Sequence, residues 1–161
     1  MLPPPPPERH CLLIVHAGHP GGRTERLRHA VEEGVRSIDA NFELRVKPAL
    51  QCSTPDLLCA KGVILGTPEH FGYMAGALKD FFDRTYYPAE GKTSGLPYAL
   101  FVSAGNDGSG TVRAVERIVT GYGWRAIASP LITIGDPDAT ALRCAHDLGA
   151  TMAAGLEAGI F

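Results

Sequence analysis

The sequence predicts an α/β fold: a five-stranded parallel sheet with helices on both faces. Short apolar runs of strand length alternate with stretches of helical periodicity along the 161 residues. The runs at residues 11–15 and 98–102 are apolar throughout, as expected of strands covered on both sides. The glycine-rich segments come after strands and before helices. That places them at the carboxyl edge of the sheet, where open α/β proteins bind ligands.

Taken in order, Cys11-Leu-Leu-Ile-Val-His16 reads as the first strand. A helix follows from near Thr24, a good N-cap with Glu25 in the first turn, and Leu27, Val31, Val35 and Ile38 mark its buried face. Residues 42–48 alternate Phe-x-Leu-x-Val and read as a more polar second strand near a sheet edge. Thr54-Pro55-Asp56 caps a short helix through Ala60. Gly62-Val63-Ile64-Leu65 is the third strand, and after Gly72 the period changes. Met74, Ala77, Leu78, Phe81 and Phe82 then share one helix face. Residues 88–95 are a polar connection, 98–102 the fourth strand, and 103–110 a small-residue loop. Val112, Val115, Ile118, Val119 and Tyr122 give the next helix. A fifth strand lies within 125–134, delayed by Pro130, and Asp136-Pro137-Asp138 opens a last helix carrying Leu142, Ala145, Leu148, Met152 and Leu156.

Composition excludes several classes. Apolar residues at 45% and charged residues at 20% are globular values. A net charge of -2 gives no electrostatic case for nucleic acid or an anionic membrane. No apolar run approaches the roughly 20 residues that span a bilayer. Pro3 to Pro7 stand where a signal peptide would need an apolar segment, so a cytoplasmic protein is expected. Residues 1–9 are expected to be a disordered, proline-rich arm and residues 10–161 a single domain. Cys11, Cys52, Cys59 and Cys144 form no Cys-x-x-Cys pair, and neither they nor the histidines have metal spacing, so reduced thiols and no metal are expected. Hydrolytic chemistry is not supported either, because Gly108-Ser109-Gly110 is no nucleophile elbow.

The organising stretch is Gly66-Thr67-Pro68-Glu69-His70-Phe71-Gly72-Tyr73-Met74, continuing through Leu78-Lys79-Asp80-Phe81-Phe82-Asp83. It closely resembles flavodoxin-like NAD(P)H-dependent FMN reductases, and within them the tryptophan-repressor-binding-protein-type quinone oxidoreductases. The resemblance, with right-handed crossovers, implies a flavodoxin-like three-layer sandwich with strand order 2-1-3-4-5. It also implies FMN as cofactor, NAD(P)H as electron donor, and a quinone or similar acceptor, in a homodimer or homotetramer. Neither nucleic acid nor membrane is an expected partner.

The same resemblance assigns site residues. His19, Pro20, Gly21, Gly22, Arg23 and Thr24 match the FMN phosphate loop, although Pro20 and Arg23 depart from the usual pattern and Pro20 removes an N–H donor. Read from the residues alone, this is a helix N-terminus whose amides and dipole suit a phosphate. Thr67, Pro68, Glu69, His70, Phe71 and Gly72 match the loop beside the flavin ring. Phe71 either packs on the flavin or joins the core, His70 is a pocket wall, and Glu69 is solvated. Ser103, Ala104, Gly105, Asn106, Asp107 and Gly108 match the segment at the pyrimidine edge, with Asp107 turned away. Tyr122 stands where the quinone reductases carry a flavin-side histidine, and is a second pocket candidate. No side chain is expected to act as a catalytic acid or base. Two alternatives remain: a binding or regulatory module with weak or no FMN, and an electron-carrier flavodoxin, to which the small net charge is poorly suited.

Overall fold

The computed structural model describes residues 1–2 and 8–161. Residues 3–7, on which most of the expected arm falls, lie outside the described residues. The elements in chain order are β1 (Cys11–His16), α1 (Arg23–Arg36), β2 (Glu43–Pro48), a 3-10 turn (Ala49–Gln51), α2 (Thr54–Leu58), β3 (Ala60–His70), β4 (Tyr73–Met74), α3 (Gly76–Ala89), β5 (Pro97–Ala104), α4 (Ser109–Tyr122), β6 (Arg125–Ala126), β7 (Leu131–Ile134) and α5 (Ala139–Glu157).

The fold is the expected flavodoxin-like α/β sheet with covering helices, and its strands run β2-β1-β3-β5-β6. Two features differ from a five-stranded sheet in order 2-1-3-4-5. The expected fifth strand is split: β6 pairs with the start of β5 and β7 with its end. Between them lies Pro130, which has no N–H for the ladder. The second difference is that β3 does not stop at Leu65. It runs on through Pro68 to His70 and folds back on β4, with Glu69 opposite Met74 and His70 opposite Tyr73. Met74 therefore belongs to a strand rather than to the helix, and α3 begins at Gly76.

Strand alternation divides the core. Leu13 and Val15 point toward Leu78, Phe81 and Val115, while Leu12 and Ile14 face Val31, Val35, Ala145 and Met152. On the second side α1 and α5 touch backbone to backbone. A Cβ at Gly34 would lie 1.8 Å from the His146 carbonyl oxygen, and one at Gly149 would lie 2.1 Å from that of Val31. Side chains settle the starts of two helices. Ser53 and Asp56 form a reciprocal capping box on α2, and the Asp138 carboxylate accepts from the Ala141 N–H at 2.8 Å on α5. At α1 the N-cap is Gly22 rather than Thr24, which lies inside the first turn.

Candidate functional site

β1, β3 and β5 are neighbours, so the segments leaving their carboxyl ends meet. They enclose a cleft of 460 Å³, within the roughly 300–1,000 Å³ typical of small-molecule sites.

One wall is the start of α1, where Gly18, His19, Gly21, Gly22, Arg23 and Thr24 line the cleft. Gly18 (φ +134°) and Gly21 (φ +77°) hold backbone conformations that other residues resist, and these turn the chain onto the helix. Gly22 makes no side-chain cap, so the first-turn N–H groups and the positive end of the helix dipole are free of a capping side chain. Two nearby donors are already engaged: Gly22 N–H to the His19 carbonyl at 3.1 Å, and Gly21 N–H to the Glu25 carboxylate. The Gly21 amide holds the Glu25 carboxyl below its ordinary range, with Arg28 adding to the effect. Pro20 faces a smaller adjoining hollow of 220 Å³ that it shares with His16 and Glu25. Burial, and then the charge of Arg28, pushes the half-buried His16 down to about 4.

The second wall is the end of β3, where Pro68, Glu69 and His70 line the cleft. Thr67 is fully buried and fastens the β3–β4 arm instead: its hydroxyl accepts from the Ala75 N–H at 3.0 Å and donates to the Pro68 carbonyl at 2.9 Å. Phe71 does not join the core. It sits at the arm's tip with φ +52° and is fully exposed. Gly72 at the same tip lies against α4, where a Cβ on Gly110 would fall 2.2 Å from the Gly72 carbonyl oxygen.

Ser103, Ala104 and Gly105 form the third wall. Asn106 and Gly108 donate their N–H groups to the two oxygens of Glu69, at 2.8 and 2.9 Å. Glu69 is thus a clamp between the second and third walls rather than a solvated carboxylate. Asp107 turns onto the start of α4, accepting from the Ser109 N–H at 3.1 Å and from its hydroxyl at 2.9 Å. These bonds lower the Asp107 carboxyl from its ordinary value.

Tyr122 is not in the cleft. It is buried between Phe82, Tyr86 and Trp124, and its hydroxyl donates to the Phe82 carbonyl at 2.8 Å. Sequence reasoning missed three cleft residues, Gly18, Arg26 and Asp136. Arg26 follows Arg23 by three residues and so shares its helix face, a signal that was available. Asp136 had none, because only the fold brings it within 2.8 Å of the Arg23 guanidinium. Arg26 itself donates to the Pro137 carbonyl at 3.1 Å, so both arginines tie α1 to the segment before α5.

The arrangement can hold an anion at the start of α1 and a flat group between the β3 and β5 ends. A flavodoxin of Aquifex aeolicus (strain VF5) is 31% identical over 99 residues, 62% of this chain and 53% of that protein. The quinone-oxidoreductase QR2 of Triphysaria versicolor is 31% identical over 110 residues, 55% of this chain and 53% of that protein. The chain thus spans about half the length of these curated relatives. Among solved structures, a flavodoxin from the domain Archaea superposes with a TM-score of 0.78 at 20% identity, covering 91% of this chain and 98% of that one. That likeness shows the fold. The model of one family, NADPH-dependent FMN reductase, matches residues 19–136, more than half of the chain, and the chain belongs to that family.

Proposed function

We propose that residues 10–161 are one FMN-binding domain that passes electrons from NAD(P)H to a quinone or similar acceptor. One observation carries this reading: an uncapped helix N-terminus opens into the same cleft as the ends of β3 and β5. The residues present fit FMN. The first turn of α1 supplies amide donors and a favourable dipole for a phosphate, and Arg23 and Arg26 line the cleft beside it. A Cβ at Gly21 would meet nothing within 4 Å, so the loop leaves open space for a ligand. Pro68, Glu69 and His70 would flank the ring on one side and Ser103 to Gly105 on the other.

Bound FMN would supply the hydride acceptance and electron donation that the reaction needs. The chain's own part is to bind and orient. Glu69 fixes the 106–108 backbone by taking two of its amides. Thr67 and Gly110 fix the arm opposite, so the slot between them is set before a ligand arrives. No side chain is required to remove a proton, and His70 serves as a wall.

A second reading, a module of weak FMN affinity, has one observation in its favour. The Glu25 carboxylate occupies the Gly21 amide at the place where a phosphate would bring its own negative charge. Replacing Glu25 with Gln separates the two readings. Under the first, the carboxylate turns aside and the variant binds FMN little better than wild type. Under the second, the variant gains affinity at least tenfold. A steady NAD(P)H oxidation that requires both FMN and a quinone tests the activity itself.

A further inference from the structure

Cys11 and Cys59 lie at the amino end of the sheet, the end opposite the cleft. Their sulfurs are 3.1 Å apart, because Cys59 precedes β3 directly and its carbonyl accepts from the Cys11 N–H at 3.2 Å. Arg45 reaches the same point from β2, donating to the Cys59 sulfur at 3.0 Å. Asp56 at 3.2 Å and Glu43 at 3.1 Å hold the guanidinium there. Cys11 is completely buried, whereas Cys59 is 7% exposed and the Arg45 side chain beside it is 24% exposed. The two thiols therefore differ: Cys59 has a solvent edge and a direct bond from the Arg45 guanidinium, and Cys11 is sealed from solvent.

We propose that Cys11 and Cys59 form a thiol–disulfide site oxidised by hydrogen peroxide, with Cys59 attacking and Cys11 resolving. Cys59, with the Arg45 guanidinium 3.0 Å from its sulfur, attacks a peroxide oxygen as the thiolate. An S–O bond forms, the O–O bond breaks, and hydroxide leaves to be protonated as water. The Cys11 sulfur then displaces the oxygen of the resulting sulfenic acid. An S–S bond forms, the S–O bond breaks, and the thiol proton leaves with the hydroxyl as a second water. Two thiols are oxidised and one peroxide is reduced to two waters. The sulfurs need to close by only about 1 Å to reach a disulfide length of about 2.05 Å. Burial and the neighbouring Cys59 raise the Cys11 thiol above its ordinary value, which keeps it protonated until the sulfenic acid forms beside it.

Cys52 is buried and Cys144 is exposed, and neither takes part. The site is independent of the cleft and of its ligand. The test is to treat the protein with hydrogen peroxide, alkylate the remaining thiols under denaturing conditions, and map the peptides by mass. The expected product has lost two hydrogens, carries a Cys11–Cys59 linked peptide, and reverts with dithiothreitol. In Cys11→Ser the sulfenic acid on Cys59 should persist and be trapped by dimedone. Arg45→Gln should slow pairing at least severalfold. A linked peptide containing Cys52 or Cys144, four unreacted thiols, or Cys59 passing to sulfinic acid without pairing would overturn the proposal. Pairing at the wild-type rate in Arg45→Gln would overturn the part given to Arg45.

Discussion

Glu69 offers the most informative single substitution, because its carboxylate takes one backbone N–H of the third wall on each oxygen. Removing it in Glu69→Ala leaves both donors without that partner. Net contributions of bonds to charged groups run about 1.5–3 kcal/mol each. The Asn106 amide is exposed and water replaces its lost acceptor, so most of the loss falls on the buried Gly108. A local cost of about 2 kcal/mol follows, or roughly 30-fold easier opening of the loop. Amide hydrogen exchange of 15N-labelled protein reads this directly. The Gly108 amide should exchange roughly 30-fold faster in the variant and the Asn106 amide by a smaller factor, with Leu100 and Phe101 in β5 little changed. Glu69→Gln keeps one carbonyl acceptor and should fall between. Unchanged exchange at Gly108 in Glu69→Ala would show that the carboxylate does not hold the loop.

Other substitutions test the frame around the site. Gly34→Ala forces a Cβ to within 1.8 Å of the His146 carbonyl, so α1 and α5 must separate. Overpacking of this kind costs about 1–3 kcal/mol, and a melting temperature equal to wild type would contradict the contact. Tyr122→Phe removes the hydroxyl bond to the Phe82 carbonyl and should lower unfolding stability by about 1 kcal/mol. It should leave FMN binding untouched, since Tyr122 is buried away from the cleft. The pH dependence follows from His16, held near 4 in the fold against an ordinary 6.5. The unfolded chain takes up this proton first, so the contribution is complete above pH 6.5 and is lost as pH falls toward 4. Denaturant midpoints between pH 7 and 5 should decline more steeply in wild type than in His16→Gln. Parallel declines would remove His16 as the cause.

Much of the fold was legible because the pattern and the packing obey the same periods. Leu12 and Ile14 alternate with Leu13 and Val15 across the sheet, and Leu27, Val31 and Val35 form one stripe. The β3–β4 arm was hidden because Pro68 and Gly72 have loop chemistry. Cross-strand pairing of Glu69 with Met74, and of His70 with Tyr73, outweighs that local preference. Met74 also falls three residues before Ala77, so it mimicked a helix position. Gly22 shows the same limit at finer scale: a glycine N-cap leaves no side-chain signature, and Thr24 drew the assignment. For the site, all three walls could be read from strand–loop–helix order. What the side chains do there could not. Glu69 meets amides 37 and 39 positions away, and Arg23 meets Asp136 across 113 positions. Tyr122 was misplaced, and the core alternative for Phe71 fails, for a related reason, since an aromatic residue's letter does not tell whether a turn exposes it or a helix buries it.

The central claim is that the uncapped start of α1 holds the phosphate of FMN, and titrating FMN into the purified protein while following flavin fluorescence tests it most directly. Saturable one-to-one quenching at micromolar concentrations is expected, with loss of affinity in Gly22→Asp. A negative charge about 5 Å from the phosphate, at an effective dielectric constant between 20 and 80, opposes binding by about 1–3 kcal/mol, or roughly 5- to 150-fold. Full fluorescence persisting at tens of micromolar protein, or equal quenching by wild type and Gly22→Asp, would contradict the placement of FMN at this helix.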